Sequence, residues 1–327
     1  MRAIQWRRNG PAREVLEIVE LPDPTPGPGE VLVRVHASGV NPHDTKGRAG
    51  WRGVVHQGGP VIPHSDGAGV IIGVGAGVPE TRIGERVWLH GARHGRGTCA
   101  ERIAIGSAHA VKLPDGLSFA EGAALGVPCL TAHLALFSDG PVAGQTVLVQ
   151  GGAGAVGLAA VKFAAKHGAR VIATASTPAK RDAARAAGAS EVLDYRAPDV
   201  AQRILALTAG RGVDRIIEVD FGANQALDGQ VIAPHGVIAA YSSTREPKPV
   251  LDYYIFAKKG VTLRFVQAST LQDAAREAGV AAIVAATAEG WMNLPIAAVF
   301  PLDRTAEAHE ALEAGAQGKV VVEVTPV

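Results

Sequence analysis

Short apolar runs separated by turn residues mark the first third of the chain. The runs Glu30–His36, Gly69–Gly73 and Arg86–Leu89 are rich in β-branched residues, and clusters of Pro, Gly, Asp and Thr lie between them. Strands at this spacing are typical of antiparallel sheets and barrels. The pattern predicts an antiparallel, barrel-like region up to about residue 115.

From residue 145 the pattern becomes a strand, a glycine-rich turn and a helix, repeated along the chain. The run TVLVQ leads into GGAGAVG and a helix of small residues, and RVIATA opens a second cycle. This alternation predicts βαβ units and a parallel sheet with helices on both faces. Helices are predicted over residues 271–289 and 306–313, and strand character returns in KVVVEV, so this tail is assigned to the first region.

Composition and charge exclude several classes of protein. The 327 residues suffice for two domains, and their 47% hydrophobic content rules out disorder. Lys and Arg together number 32 against 31 Asp and Glu, which leaves no basic surface for nucleic acid or anionic membrane. Two cysteines, Cys99 and Cys129, cannot form a disulfide framework, and the N-terminus lacks an apolar signal segment. We therefore expect a soluble, cytoplasmic protein.

Gly152, Gly154 and Gly157 form the pattern GxGxxG directly after a strand and at the start of a helix, with Ala155 and Val156 between the last two. Such glycines permit a tight turn, a close approach of the backbone to a pyrophosphate, and close packing of helix on strand. The helix N-terminus presents N–H groups and a positive dipole end to the anion. The pattern predicts a dinucleotide-binding loop; a glycine-rich turn without a ligand is the alternative.

The end of the next strand favours NADPH over NADH. NAD sites place Asp or Glu there to hold the ribose 2′-hydroxyl. Here the run Thr174–Thr177 contains Ser176, Lys180 and Arg181 follow, and no acid occurs before Asp182. A carboxylate about 4 Å from a 2′-phosphate would cost ~4 kcal/mol at an effective dielectric constant near 20. The alternative is that the two cations only line a solvated helix face.

These segments resemble the medium-chain dehydrogenase/reductase superfamily, and specifically its zinc-free, zeta-crystallin-like quinone oxidoreductases. The resemblance implies an α/β fold, with a GroES-like β-barrel catalytic domain over 1–122 and 267–327 and a Rossmann domain, a doubly wound parallel sheet, over 123–266. It also implies a homodimer joined near Val261 to Val266. The segments that carry it are SGVNPHDT (Ser38–Thr45), PHSDGAGVI (Pro63–Ile71), GGAGAVG, GASEVLDYR (Gly188–Arg196) and GKVVVEV (Gly318–Val324).

The resemblance implies that no zinc is bound. Asn41, Ser65 and Val127 match the three positions at which zinc alcohol dehydrogenases hold the catalytic metal, and the cysteines of a structural site are missing. Without a Lewis acid the hydride acceptor must already be electrophilic. The prediction is NADPH-dependent reduction of a quinone or similar conjugated carbonyl compound. The alternatives are an enone or enoyl-thioester (2-alkenal) reductase and a non-catalytic NADPH-binding sensor protein.

The same resemblance assigns residues to the cofactor. Asn41 matches the residue beside the nicotinamide ribose and the substrate, and Thr131 matches a threonine near the nicotinamide. Lys180 and Tyr195 resemble the pair around the 2′-phosphate. Tyr241, Phe265 and Val266 follow two later strands, and core packing is the alternative for them. Lys319 matches a basic residue of the family in the tail.

Departures from the family mark candidate substrate contacts. Lys46 stands where a tyrosine is common, His64 stands where glycine is usual, and Trp51 offers an indole on which a planar quinone could stack. Either His43 or His64 could donate a proton. A metal site gathered from the histidines of this region is the less favoured interpretation, because their spacing matches no ligand motif.

Overall fold

The computed structural model describes residues 1–53, 56, 58–92 and 96–326, except the side chains of Arg52 and Thr270. The chain forms two compact units, one of residues 1–127 with 284–327 and the other of residues 128–283. The predicted limits of the functional domains, at 122/123 and 266/267, stay a prediction.

The strands and helices follow one another along the chain in the order of their labels. The strands are β1 (Arg2–Gln5), β2 (Glu17–Glu20), β3 (Glu30–Val40), β4 (Asp66–Val74), β5 (Arg86–Leu89), β6 (Arg102–Gly106), β7 (Ala110–Lys112), β8 (Thr146–Val149), β9 (Arg170–Thr174), β10 (Glu191–Leu193), β11 (Val213–Glu218), β12 (Ile232–Ala240), β13 (Thr262–Phe265), β14 (Ile296–Pro301) and β15 (Lys319–Glu323). The helices are α1 (Ala12–Val15), α2 (Pro42–Ala49), α3 (Phe119–Gly122), α4 (Gly126–Phe137), α5 (Ala155–Lys166), α6 (Pro178–Ala186), α7 (Val200–Leu207), α8 (Phe221–Val231), α9 (Tyr253–Ala257), α10 (Asp273–Ala288) and α11 (Thr305–Glu313). None of the helices within the described ranges is long and apolar enough to cross a bilayer.

The first unit is built on a sheet with the strand order β14-β15-β3-β4-β5-β7, and β6 also pairs with β3. Its pairs are antiparallel except β14 with β15. Alternate residues of β3, including Val31, Val33 and Val35, are buried in the core, as expected for a strand with one face inward. The antiparallel region and the return of the C-terminal tail, through β15 against β3, are both confirmed.

The second unit is a parallel sheet in the order β10-β9-β8-β11-β12-β13. Counted from β8 as the first strand, this is the doubly wound order of a Rossmann fold, in which the direction of winding reverses between the first and fourth strands. Leu148, Ile172 and Ile216 from β8, β9 and β11 are fully buried. Ligands of such sheets bind at the carboxyl ends of the strands where the order reverses, and the predicted nucleotide loop follows β8 there.

Candidate functional site

The three motif glycines have different structural roles in the loop between β8 and α5. A Cβ on Gly157 would lie 2.3 Å from the carbonyl oxygen of Gly151, and one on Gly152 would lie 2.8 Å from the Cβ of Ala173. These two glycines are therefore required for packing. A Cβ on Gly154 would meet only the Gly151 carbonyl oxygen, at an ordinary 3.5 Å. Gly154 is exposed, so the glycine here keeps the surface above the loop open.

The N-terminus of α5 is suited to an anion. Gly154 is its N-cap residue, and no side chain caps the first turn. Ala155 and Val156, the first residues of this helix, are only partly buried. A phosphate could take the place of a capping side chain, because the first-turn N–H groups and the helix dipole both favour negative charge. The loop thus fits the pyrophosphate of a dinucleotide.

A chain of hydrogen bonds through Thr174, Gln150 and Asp228 supports the loop. The N–H of Gly151 donates to the Thr174 hydroxyl at 3.1 Å, and that hydroxyl donates to Gln150 Oε1 at 2.9 Å. Gln150 Nε2 in turn donates to Asp228 Oδ1 at 3.1 Å. Gly151 has a φ of 67°, which favours glycine. The sequence interpretation missed this network, because Gln150, Thr174 and Asp228 come from three separate elements.

Cations surround the residues predicted to hold the 2′-phosphate. Lys180 is half-buried near the start of α6, and Tyr195 is exposed after β10. Arg181, the second cation of the predicted run, lies 3.3 and 3.1 Å from oxygens of Ser176 and Asp194. An arginine that sequence analysis did not assign, Arg196, bonds the Ser176 carbonyl oxygen and Asp194 as well. The tyrosine–arginine pair in GASEVLDYR was the available signal for Arg196.

Asp194 is the acid that lies among these cations, and its negative charge is balanced by its ion pairs with Arg181 and Arg196. Hydrogen bonds from the side chain and backbone of Arg196 and the charge of Arg181 hold the pKa of Asp194 well below its ordinary value. With Lys180, the cations here outnumber the carboxylate. This balance favours a ligand that carries extra negative charge at the end of β9.

The remaining cofactor candidates of the second unit lie at strand ends or on a helix. Tyr241 follows β12 and is half-buried, and burial together with the Glu218 charge raises its pKa. Phe265 ends β13 and is 75% exposed, whereas Val266 and Thr131, the latter on α4, are buried. The structure places the first three residues at the expected carboxyl edge.

In the first unit, Asn41 and Lys319 are brought together by a residue that sequence analysis did not assign, Asp66. All three are at least 98% buried. Lys319 Nζ donates to Asn41 Oδ1 at 2.6 Å and to Asp66 Oδ2 at 3.0 Å, and Asn41 Nδ2 donates to Asp66 Oδ2 at 2.8 Å. The other Asp66 oxygen accepts the Val127 N–H at 2.9 Å. The Asn41 amide is thereby held in one orientation.

His43 lies at the start of α2, where Asn41 is the N-cap residue. Its Nε2 is 2.9 Å from Ser65 Oγ and 3.2 Å from Asp44 Oδ1, and about half of its side chain is exposed. The charge of Asp44 raises the pKa of His43. Burial alone would raise the pKa of Asp44, but His43 and the Asn41 N–H hold it well below its usual range.

His64 has a different environment. Its backbone is left-handed, with a φ of 74°, where the family usually has glycine. The ring is buried between Ser38 Oγ, 2.8 Å from Nδ1, and His309 Nε2, 2.9 Å from Nε2. Burial lowers the pKa of His64 to about 4. The other two substrate candidates lie together, with the Lys46 ammonium 4.8 Å from the centre of the Trp51 ring.

Within the described residues, no three His, Cys, Asp or Glu side chains form a group that could hold a metal ion. Both cysteines are buried, and burial raises the pKa of Cys99 to about 12. The zinc-free interpretation stays a prediction that rests on the residues at the ligand positions.

Comparisons with known families divide the chain as its two sheets do. Residues 27–132 match the alcohol dehydrogenase GroES-like domain, and residues 155–286 match the zinc-binding dehydrogenase family. The GroES-like and Rossmann-type assignments are confirmed by these matches together with the sheets.

Several full-length proteins are similar to the chain. Human quinone oxidoreductase is 34% identical over 335 residues, which cover 98% of this chain and 97% of that protein. The structure of mycobacterial Rv1454c complexed with NADPH is 30% identical, covers 99% of this chain and 100% of that one, and has a TM-score of 0.88. An NAD-dependent alcohol dehydrogenase structure is 29% identical, with the same coverage and TM-score. The chain belongs to the medium-chain dehydrogenase/reductase superfamily, in its quinone oxidoreductase-like branch.

Proposed function

We propose that this protein transfers a hydride from NADPH to a quinone or a similar conjugated carbonyl compound, without zinc. The observation that carries the proposal is the open, uncapped loop at Gly154 followed, at the end of β9, by a surplus of cations. The similarity to human quinone oxidoreductase supports the reaction, and the similarity to the NADPH complex supports the cofactor. NADPH, when bound, supplies the hydride.

Each part of the cofactor has a group of residues suited to it. Gly152 to Gly157, at the α5 N-terminus, would hold the pyrophosphate, and Lys180, Arg181, Arg196 and Tyr195 would hold the 2′-phosphate. Guanidinium groups suit this role because their fixed donors match the oxygens of a phosphate. The similar alcohol dehydrogenase is described as NAD-dependent, so the choice of cofactor depends on these side chains rather than on the fold.

The residues suited to the substrate lie in the first unit, around Asn41. Lys319 and Asp66 each form one hydrogen bond with the Asn41 amide, which fixes the orientation of this side chain. Lys46 and Trp51 present a cation and an indole face of a kind that a planar, conjugated acceptor could contact. Asn41, Ser65 and Val127 offer no thiolate or imidazole to a metal, so the acceptor must be electrophilic by itself.

Reduction of a quinone requires a proton as well as a hydride. The hydride leaves one oxygen of the product as an anion, and we assign the proton that it takes up to His43. Asp44 favours the charged form of that imidazole by raising its pKa, and about half of the side chain is exposed to solvent, from which it can be reprotonated. His64 is buried and neutral near pH 7, so the geometry favours His43.

A panel of quinones, enones and enoyl-CoA thioesters, with oxidation of NADPH followed by absorbance, tests the reaction. We expect turnover with quinones. Turnover of enoyl thioesters alone would favour the reductase alternative. Tight binding of NADPH without oxidation by any acceptor would favour the sensor alternative and refute the proposal.

The cofactor preference is tested by titrating NADPH and NADH against intrinsic fluorescence. We expect tighter binding of NADPH, and loss of the difference in Lys180→Ala combined with Arg196→Ala. Lys258→Ala, at an exposed lysine of the same unit, is the matched control. Equal affinities of the wild-type protein for the two nucleotides would refute the assignment of the 2′-phosphate site.

We further propose a homodimer in the cytoplasm. β13 is at the edge of its sheet, and an edge strand is a ready template for pairing with a second copy. Cys99 and Cys129 are both buried and form no disulfide, as suits a reducing compartment.

A further inference from the structure

Two carboxyl groups are buried against each other behind the nucleotide loop. Glu218 ends β11 and Asp228 lies on α8, and both side chains belong to fully buried residues. The two side chains interact with each other. Glu218 Oε1 accepts the Asp220 N–H and the Asn224 amide, and Asp228 Oδ1 accepts the Gln150 amide.

Their second oxygens require a proton. Across the described part of the chain, no hydrogen-bond donor reaches Glu218 Oε2 or Asp228 Oδ2. An ionised carboxylate can only accept hydrogen bonds, so two carboxylates cannot bond each other unless one keeps its proton. Two buried negative charges at this separation would also repel strongly.

The surroundings do not neutralise a second charge. The other titratable or charged groups facing the pair are Asp220, Tyr241 and Arg245. Arg245 pairs with Asp220 at 2.8 Å, and its side chain is largely exposed. Burial, first, and the neighbouring acids raise the pKa of both Glu218 and Asp228. Burial, the repulsion between two charges and the two oxygens without a donor all favour a pair that keeps one proton.

Asp228 is also the first member of a relay to the loop. It accepts from Gln150, Gln150 accepts from Thr174, and the Thr174 hydroxyl accepts the Gly151 N–H, with all three distances between 2.9 and 3.1 Å. The direction of each hydrogen bond in the relay is fixed. Asp228 Oδ1 accepts a hydrogen bond, so the Gln150 amide turns its nitrogen toward Asp228 and its oxygen toward the Thr174 hydroxyl. Gly152 N–H, 2.9 Å from the Thr174 carbonyl oxygen, ties the loop to the same residue.

We propose that the proton shared by Glu218 and Asp228 keeps the Gln150–Thr174 relay in register and so positions the phosphate-binding loop, which makes cofactor affinity depend on that proton. Glu218, Asp228, Gln150 and Thr174 are positioning residues; none of them is assigned a contact with the cofactor. The inference rests on the proposed binding of NADPH to the loop.

The sign of the pH effect follows from proton linkage. Above the ordinary pKa of a carboxyl group, the folded pair holds one more proton than the unfolded chain does. Stability therefore falls as pH rises toward the raised pKa of the pair. When the shared proton leaves, the two carboxylates repel, Asp228 moves away from Gln150, and the loop loses its support.

Asp228→Asn tests the proposal without removing the hydrogen bonds. The asparagine amide can donate to Glu218 while its oxygen still accepts from Gln150, and it does not titrate. We expect the Kd of the wild-type protein for NADPH, measured by intrinsic fluorescence, to rise about tenfold between neutral and alkaline pH, which is ~1.4 kcal/mol. The Kd of Asp228→Asn should stay constant over the same range.

Thr174→Val and Thr174→Ser test the relay itself. Valine matches the shape of threonine but leaves the Gly151 N–H and Gln150 Oε1 without their partner, so we expect about tenfold weaker binding at every pH and an unchanged kcat at saturating NADPH. Serine keeps the hydroxyl and should restore the affinity. An equal loss of affinity with pH in wild type and Asp228→Asn, or wild-type affinity in Thr174→Val, would overturn the proposal.

Denaturant unfolding separates this outcome from a failure of the proposed function. The unfolding free energy of the wild-type protein should fall relative to that of Asp228→Asn as pH rises, whether or not nucleotide is present. If the wild-type protein bound no NADPH at any pH, both the proposed function and the role of the pair in binding would be refuted. A constant difference in unfolding free energy across pH would refute the shared proton alone.

Discussion

At the scale of single residues, the pair His43 and Asp44 predicts how the reaction depends on pH. Asp44 raises the pKa of His43, the proposed proton donor, so kcat should fall as pH rises through that raised pKa. His43→Gln keeps a polar side chain but cannot supply the proton. We expect kcat for quinone reduction to drop roughly 10²-fold and to lose this pH dependence. Steady-state rates at saturating NADPH and acceptor measure both effects.

His167→Gln is the control for this change, because His167 is an exposed histidine at the far end of α5. It should retain the wild-type rate and pH profile. A His43→Gln enzyme with an unaltered profile would exclude His43 as the proton donor and return attention to solvent.

Gly154 and Gly157 give opposite predictions although they belong to one motif. Gly154→Ala places a methyl group in the open space above the loop, and its stability cost should not exceed about 1 kcal/mol. Binding of NADPH should weaken at least tenfold, or by ~1.4 kcal/mol, because the methyl group occupies the approach of the pyrophosphate. Gly157→Ala should fail to fold normally, because its Cβ would lie 2.3 Å from a carbonyl oxygen.

Thermal unfolding and fluorescence titration distinguish the two variants. Gly116→Ala, at a glycine with no heavy atom within 4 Å of the added Cβ, is the control and should leave both unchanged. Wild-type affinity in Gly154→Ala would show that the phosphate does not approach the loop at this point.

Asp66, Gln150 and Asp228, which sequence reasoning missed, have hydrogen-bond partners that are distant along the chain. The glycine motif is local, and so it was readable. Asp66 and Lys319, by contrast, are 253 residues apart, and Gln150 and Asp228 are 78 apart. Only the fold brings such pairs together, and no local pattern distinguishes Asp66 from a surface aspartate. The sequence also could not show that Arg196 turns back to Ser176.

At the scale of secondary-structure elements, Lys319 joins β15 to β4 and to the start of α2. Lys319→Met would leave the buried Asp66 carboxylate without its cation, so we expect a loss of about 3–5 kcal/mol in the free energy of unfolding. Replacing both residues, as Lys319→Met with Asp66→Asn, removes the uncompensated charge and should recover part of that loss.

Denaturant unfolding of the single and double variants measures this coupling. Lys112→Met, at an exposed lysine of β7, is the control and should change stability by no more than ~0.5 kcal/mol. Additive losses in the double variant would show that Lys319 and Asp66 contribute independently.

Elements with a strong local pattern were predicted close to their observed bounds. The helices predicted over 271–289 and 306–313 are α10 (Asp273–Ala288) and α11 (Thr305–Glu313), and β5 covers the predicted run. Strands β1, β2, β6 and β7 were not predicted. Each is short, and each is defined by pairing with another strand rather than by its own alternation.

At the scale of the whole molecule, the class of fold was readable because repetition and order are visible in sequence. Alternating strands and helices require a parallel sheet, and the β8 loop fixes where its ligand binds. The return of the tail was inferred only from a change of rhythm, and the structure confirms it, since β15 lies between β14 and β3. The limits of each functional domain were less readable, because α4 and α10 continue across the boundaries of the compact units.

The oligomeric state is a further property of the whole molecule, and the β13 edge makes it testable. In a two-fold dimer each edge strand meets its own copy, so a charge placed on β13 faces the same charge on the partner. Thr262 is exposed on this strand, and Thr262→Lys should weaken a dimer about tenfold or more through that repulsion. Glu191→Lys places a lysine on β10, the opposite edge of the same sheet, and should leave the dimer intact. Sedimentation equilibrium measures the association of all three proteins. A monomeric wild-type protein would refute the dimer, and dissociation by Glu191→Lys instead of Thr262→Lys would place the interface on the β10 edge.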